Sequence, residues 1–152
     1  MSPTAKPPRI TAEEFAAVMR DLVPYVGQLG IEVKTLGFGT ISLVMPASDR
    51  LLRPGGTIAG PAQMALADIA MYGLVMSRLG RVDLAVTTSL SINFLRRPEP
   101  AAMTAEGRLL KLGKRLAVGD VTLLSEGLAE PVAHAVVTYS LPPAKGLAGE
   151  GK

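Results

Sequence analysis

The chain has 152 residues, which is enough for one domain with an ordinary hydrophobic core. Hydrophobic residues make up 48% of the sequence, which excludes a disordered protein, and the absence of cysteine excludes disulfides and thiolate catalysis. The net charge of +3 is spread over short basic pairs rather than one wide basic face, so a nucleic-acid partner is not expected. No secretory signal is visible, and with the lack of cysteine this favours a cytoplasmic protein.

The N-terminal part of the chain predicts a short helix followed by a hairpin. Thr11 and Glu14 have the spacing of a capping box, and Pro24 ends the helical pattern. Two strand patterns follow at residues 31–36 and 40–45, and the glycines between them allow a tight reversal of the chain.

A long and almost wholly apolar segment predicts a buried helix at residues 61–79. Pro61 suits the first helical turn, where its missing N–H breaks no intrahelical bond, and Gly60 can serve as the N-cap. The segment is nearly long enough to span a bilayer, but it contains Gln63 and Asp68, and a carboxylate inside a membrane is costly. We therefore predict a helix buried inside a water-soluble domain.

The second half of the chain predicts a sheet. Apolar or β-branched residues alternate with polar ones throughout residues 86–94, which is typical of a half-buried strand. The predicted elements follow the order helix, two strands, long helix and four strands. This is the order of an α+β domain with a mostly antiparallel sheet packed on one central helix. Flexible tails are expected at 1–9 and 142–152, which leaves 10–141 as a single domain. The four predicted strands are 86–94, 103–112, 116–124 and 132–141.

Two features around the long helix favour a functional site. A glycine-rich run, residues 55–60, leads into the helix, where unpaired N–H groups at the positive end of the helix dipole can stabilise an oxyanion. Asp68 lies in an apolar helix, where a carboxylate is costly unless it is paired or used. Two alternatives remain open: the glycine-rich run forms only a turn, and Asp68 is paired with a partner that has a structural role. Because His134 is the only histidine and cysteine is absent, neither a metal site nor a histidine-based triad is expected.

Several blocks of the sequence together resemble the PaaI-like thioesterases, the phenylacetic-acid-pathway type. The resemblance spans roughly residues 30–141. It implies the hotdog fold, in which an antiparallel sheet of about five to six strands wraps around a long helix. It also implies hydrolysis of an acyl-CoA thioester, with CoA as part of the substrate and no separate cofactor. The blocks are Gly60-Pro61 with Asp68, then Leu84 to Thr88, Ile92 to Arg96, Leu112 to Val121, and Ala133 to Tyr139.

The resemblance implies catalytic roles for three residues. Asp68 matches the family's acid, which acts as general base or nucleophile. Gly60 matches the glycine whose N–H polarises the thioester carbonyl, and Thr87 stands where the family often has a hydroxyl that positions the water or the carboxylate.

The chain departs from the family motif Asn-x-x-Gly-x-x-His-Gly-Gly at three positions. Arg53 replaces the Asn, Ala59 the His and Pro61 the second Gly, although Pro61 leaves the N–H of Gly60 intact. These three residues are candidates for substrate binding, and the basic pairs elsewhere are candidates for the CoA phosphates. The other substrate-binding candidates are Met64, Tyr72, Arg96, Arg97, Lys114 and Arg115.

Helix geometry predicts that the site is shared between chains. Eight helical residues separate Gly60 from Asp68 by about 12 Å along the axis, so one thioester carbonyl cannot lie next to both. In the family, a two-fold dimer brings Gly60 of one protomer to Asp68 of the other, and such an interface forms two equivalent sites. We therefore expect an obligate homodimer, which the family often pairs into a homotetramer. The expected partners are acyl-CoA and a second copy of the chain, without nucleic acid or membrane.

Other functions remain open at this stage. A non-catalytic hotdog protein that binds acyl-CoA or another acyl ligand is favoured by Arg53 and Ala59, where two polar family residues are missing. A hotdog hydratase or dehydratase ranks below it, because no histidine lies near Asp68 in the sequence. A purely structural oligomer would leave Asp68 unexplained. The acyl group is not predicted.

Overall fold

A computed structural model describes residues 5–143 of the chain. Of the predicted tails, 1–9 and 142–152, residues 1–4 and 144–152 therefore lie outside the described residues. The helices are α1 (Ala12–Leu22), α2 (Pro24–Leu29) and α3 (Gly60–Leu79), and a short 3-10 turn covers Asp49–Leu51. The strands are β1 (Glu32–Gly37), β2 (Thr40–Met45), β3 (Leu52–Arg53), β4 (Thr57–Ile58), β5 (Val86–Phe94), β6 (Met103–Leu112), β7 (Leu116–Ser125) and β8 (Ala133–Ser140).

Six strands form one antiparallel sheet in the order β1-β2-β6-β7-β8-β5. Helix α3 packs against one face of this sheet, mainly on the central strands. The two short strands β3 and β4 form a separate hairpin just before α3. This arrangement confirms the predicted α+β hotdog architecture, with the long helix enclosed by the sheet.

Helix α3 forms the centre of the core, as its composition predicts. Most of its large apolar side chains are buried, and each of these contributes about 1.5–3 kcal/mol by leaving water. Gly119 of β7 lets the helix lie close to the sheet, because a Cβ atom there would come within 2.7 Å of Met71 Sδ. Within residues 5–143, we find no helix with the length and apolarity required to cross a membrane. The buried residues of α3 include Leu66, Met71, Leu74, Val75 and Met76.

Three local expectations differ from the structure. Pro24 does not simply end the first helix but begins α2, because proline is favoured in a first helical turn. Helix α3 begins at Gly60, so that its N-cap is Ala59 rather than Gly60. The helical spacing of Phe15, Met19 and Leu22 predicts that all three share the packed face of α1, yet Leu22 is 48% exposed. The capping role of Thr11 is confirmed, since its side chain accepts a hydrogen bond from the N–H of Glu14.

Candidate active site

Asp68 is held by two hydroxyl groups that come from neighbouring strands. It lies half-buried on α3, and Thr87 of β5 donates a hydrogen bond from Oγ1 to Asp68 Oδ1 at 2.5 Å. The hydroxyl of Tyr139 on β8 lies 3.3 Å from the same Oδ1 and 3.1 Å from the Asp68 backbone oxygen. Oδ2 accepts no hydrogen bond from any residue between 5 and 143. The carboxylate is thus fixed at one oxygen and free at the other.

A β-bulge in β5 directs Thr87 toward Asp68. In a regular ladder, the pairing of Leu90 with Val137 would place Thr87 opposite Ser140, but Thr87 pairs with Tyr139. The register therefore shifts by one residue between Thr87 and Ser89. An extra residue in one strand reverses the alternation of side chains beyond it. Thr87 is therefore on the helix side of the sheet, whereas uniform alternation over 86–94 predicts the opposite side. The predicted strand at 86–94 is confirmed, and the bulge within it is what places the Thr87 hydroxyl next to Asp68.

The cleft beside Asp68 is mostly apolar. It has a volume of about 560 Å³ and lies between the α1–α2 junction, α3 and the start of β5. Tyr72 follows Asp68 by one helical turn and donates a hydrogen bond to the Asp83 backbone oxygen at 2.9 Å. Burial and the nearby Asp83 carboxylate raise the pKa of Tyr72 to about 12, so it remains a neutral wall of the cleft. The lining residues include Leu22, Val23, Ile69, Tyr72, Val86 and Tyr139.

Gly60 presents a free donor at the opposite end of the same helix segment. Its backbone N–H donates to no acceptor within residues 5–143, as expected for the first residue of a helix. Pro61, which follows it, has no N–H, so Gly60 is the outermost donor at the positive end of the α3 dipole. The Phe94 ring covers Gly60 closely, since a Cβ atom added there would lie 3.4 Å from Phe94 Cζ. An N–H at the positive end of a helix dipole can stabilise an anion.

The cleft around Gly60 is separate from the Asp68 cleft and carries most of the basic residues of the site. It has a volume of about 680 Å³ and includes Arg53, Arg96 and Arg97 in its lining. The Arg97 guanidinium donates to the backbone oxygen of Gly55, and Arg96 pairs with Glu130 at 2.7 Å. Both arginines therefore also hold the loops around the cleft in place.

Lys114 and Arg115 lie elsewhere in the protomer. They line a third cleft, of about 730 Å³, next to the end of α3 and the end of β8. The structure thus does not bring them together with Arg96 and Arg97 within one protomer, although the sequence grouped all four as phosphate-binding candidates.

The uncovered strip of α3 connects the Gly60 cleft and the Asp68 cleft. Gly60, Met64 and Asp68 follow one another at intervals of four residues, which places them on one face of the helix. Met64 is 39% exposed, whereas the remainder of α3 from Leu66 to Ser77, apart from Asp68, is buried. Pro61 is also exposed, next to the half-buried Ala59. The helix therefore shows one accessible face, and that face ends in the free N–H at one side and the carboxylate at the other.

Two polar residues of the site were not predicted from the sequence. Tyr139 lies in a strand whose side chains alternate between the two faces of the sheet. This alternation indicates only that its side chain points inward. Gln63 is 3% exposed and lines the Gly60 cleft, where its Nε2 donates to the Ile58 backbone oxygen at 3.2 Å. A polar residue in an apolar helix is a signal for Gln63, as it was for Asp68.

The only histidine of the sequence lies away from both clefts. His134 Nε2 is 3.0 Å from Asp120 Oδ2 on the outer face of the sheet, and Arg108 contacts the other oxygen of Asp120 at 2.9 Å. Although burial alone raises the pKa of Asp120, the hydrogen bonds from Arg108 and His134 outweigh it and keep that pKa below its ordinary value. Asp68 therefore has no histidine partner among the described residues of its own chain.

Comparison with known proteins decides the family. The sequence profile described as the thioesterase superfamily matches residues 55–132, slightly more than half of the chain. The chain belongs to the thioesterase superfamily. The matched region contains the free N–H of Gly60, the carboxylate of Asp68 and the hydroxyl of Thr87.

Individual relatives agree with this family assignment. The crystal structure of a "putative thioesterase" from Silicibacter sp. TM1040 is 40% identical to the chain, with a TM-score of 0.82, and the match covers 92% of this chain and 97% of the other. A mutant of the phenylacetic acid degradation protein PaaI from Thermus thermophilus is 27% identical, with a TM-score of 0.69, over 78% of this chain and 99% of the other. A "putative esterase" from Thermoplasma acidophilum is 26% identical over 76% of this chain and 86% of its own length.

These similarities confirm the PaaI-like resemblance and the hotdog fold of this thioesterase. Hydrolysis of a thioester is accordingly its class of activity.

Proposed function

We propose that this thioesterase hydrolyses acyl-CoA at sites formed between two protomers, as a homodimer in the cytoplasm that can pair into a tetramer. The observation that carries the proposal is the separation of the two half-sites. The free N–H of Gly60 and the free Oδ2 of Asp68 open into different clefts, at the two ends of one exposed helix strip. Neither half can bind and activate a thioester without the other.

A two-fold axis through the middle of this strip would complete both sites. Gly60 lies against Phe94, and Asp68 lies against Thr87. Met64 is the midpoint of the helix segment from Gly60 to Asp68. Leu90 and Ser91 are the two central residues of the strand segment from Thr87 to Phe94. A rotation about that midpoint moves Gly60 of one protomer to the position opposite Asp68 of its partner. The same symmetry forms two identical sites.

The free edge of β5 supports this pairing. Among residues 5–143, strand β5 bonds to β8 alone, and an exposed unpaired strand edge is a template for a second chain. Antiparallel pairing of two β5 strands about this axis would place the Val86 end of one strand beside the Phe94 and Leu95 end of the other. Val86, Phe94 and Leu95 are each at least half exposed in the protomer. Their burial in the dimer would remove an apolar surface from water.

The chemistry follows from the completed site. The thioester oxygen accepts a hydrogen bond from the Gly60 N–H, where the helix dipole stabilises the negative charge that develops. Asp68 of the partner removes a proton from water, and the hydroxide adds to the carbonyl carbon. The C–S bond then breaks, and the proton passes to the CoA sulfur. Direct attack by Asp68 Oδ2 would instead form an anhydride between the acyl group and Asp68 and release the CoA thiolate, which takes up a proton. Water would then hydrolyse the anhydride to the same acid and restore the Asp68 carboxylate.

The basic residues of the two protomers would meet around the nucleotide of CoA. Arg53, Arg96 and Arg97 line the Gly60 cleft. Leu116 pairs with Ser140, which in turn pairs with Val86, so Lys114 and Arg115 lie at the Val86 end of the sheet. In the antiparallel dimer that end approaches Arg96 and Arg97 of the other protomer. Five cations from two chains would then face the phosphates. The acyl group would occupy the apolar cleft near Tyr72 and Met64.

A non-catalytic acyl-CoA-binding protein is the second candidate, because Arg53 and Ala59 replace the polar family residues next to Gly60. Release of free thiol separates the two functions. Wild-type protein should release thiol from at least one member of a panel of short, medium, long and aromatic acyl-CoAs. Calorimetric binding of those esters with no thiol released above the uncatalysed rate would instead favour the binding protein.

A further inference from the structure

We propose that Tyr139 is a positioning residue of this site: together with Thr87 it holds Oδ1 of Asp68, so that Oδ2 is the oxygen that acts on water or on the thioester. The proposal rests on the proposed function of Asp68 and adds to it a role for a residue outside the matched family region, which ends at 132. It also assigns different roles to the two carboxylate oxygens.

The position of the Tyr139 hydroxyl supports this role directly. It lies 3.1 Å from the backbone oxygen and 3.3 Å from Oδ1 of the same residue, Asp68. A hydroxyl that contacts both atoms ties the carboxylate to the helix backbone. Tyr139 is 3% exposed, and its ring packs 6.1 Å from the Tyr72 ring, so the hydroxyl has little freedom to move.

Two donors on one oxygen determine the orientation of the carboxylate. Without them, Asp68 can rotate about its Cβ–Cγ bond, because that torsion is soft for an aspartate side chain. Thr87 and Tyr139 are cross-strand partners, and the β5 bulge turns the Thr87 side chain to the same side of the sheet as Tyr139. Both hydroxyls therefore reach Oδ1 from the sheet, and Oδ2 remains free toward the cleft.

Tyr139 is suited to remain a donor. Burial raises its pKa well above the ordinary tyrosine value, and the negative charge of Asp68 raises it further. Loss of the phenolic proton would place a second negative charge beside the carboxylate. At neutral pH the hydroxyl therefore keeps the proton that it shares with Asp68.

Steady-state kinetics of Tyr139→Phe, Thr87→Val and the double variant test the proposal on the best acyl-CoA of the panel. Each single change removes one hydroxyl and little volume. We expect kcat to fall about 10- to 100-fold in each, the usual loss when the partner of a reacting group is removed, with KM within about twofold of wild type. Because both hydroxyls hold one oxygen, the double variant should lose much less than the product of the two single losses.

Tyr25→Phe is the matched control, since Tyr25 is 57% exposed on α2 and lines neither half-site. An unchanged kcat in Tyr139→Phe would overturn the proposal. Losses that multiply in the double variant would also overturn it, because independent effects would mean that Tyr139 does not act through the same Asp68 oxygen as Thr87. Either result would leave the proposed function intact provided that Asp68→Asn is inactive. Full activity of Asp68→Asn would instead refute the proposed function itself.

Discussion

Replacing Asp68 with asparagine is expected to remove most of the hydrolysis while the protein stays folded and oligomeric. The amide has almost the same shape as the carboxylate, and its oxygen can still accept hydrogen bonds from Thr87 and Tyr139. It can neither accept a proton from water nor attack a carbonyl. We expect kcat to fall about 100- to 10,000-fold, the range in which general acid–base groups contribute.

Thiol release measures this loss, and size-exclusion chromatography checks the oligomer. Asp21→Asn is the matched control, because Asp21 is an exposed residue of α1 whose only side-chain partner is Arg20 within the described chain. The expected loss of kcat is at least about 100-fold. If Asp68→Asn instead keeps a kcat within about twofold of wild type, Asp68 is not the acting group.

Replacing Gly60 with proline is expected to have the second-largest effect, because it removes the backbone donor without removing a side chain. The local backbone suits this change: Ala59 has φ −64° and ψ 144°, the extended conformation that precedes proline, and the first helical position accepts proline well. Loss of one donor to an oxyanion usually lowers kcat by about 100- to 1000-fold. Thiol release under saturating acyl-CoA measures it.

Gly60→Ala distinguishes the effect of losing the backbone N–H from the effect of adding atoms at this position. Alanine keeps the N–H, and its methyl group would lie 3.4 Å from the Phe94 ring, a close but ordinary contact. The alanine variant should therefore lose far less activity than the proline variant. Equal losses in the two variants would mean that the backbone N–H is not the group that matters.

The fold could be predicted from the sequence because its strongest signals are long and regular. The apolar run of α3 and the alternation in β6, β7 and β8 span about ten to twenty residues each, so that burial alone determines them. Helix α2 was missed because Pro24 serves equally well as the end of one helix and the beginning of the next. The β3–β4 hairpin was missed because two-residue strands have no period.

The candidate site was predicted in part. Asp68 and Gly60 carry local signals, a carboxylate in an apolar helix and a glycine before one. The orientation of Thr87 was not predictable, because the bulge between Thr87 and Ser89 reverses a pattern that reads as regular alternation. Tyr139 and Asp68 are 71 residues apart, and only the sheet brings them together. The separation of Lys114 from Arg97 likewise depends on strand order, which residue spacing does not contain.

In the proposed dimer, each active site takes Gly60 from one protomer and Asp68 from the other. Co-expression of Gly60→Pro and Asp68→Asn chains with different affinity tags, followed by sequential purification, isolates the mixed dimer. In that dimer one site carries both substitutions and the other carries neither, if the sites are shared. If each site lay within a single chain, both sites would carry one substitution.

Thiol release by the mixed dimer is the most direct measurement. The shared site predicts that activity returns from the low level of both parent variants to about half that of wild type, because one of the two symmetric sites is intact. A mixed dimer as inactive as its parents, with both tags present in equal amounts, would contradict the shared site.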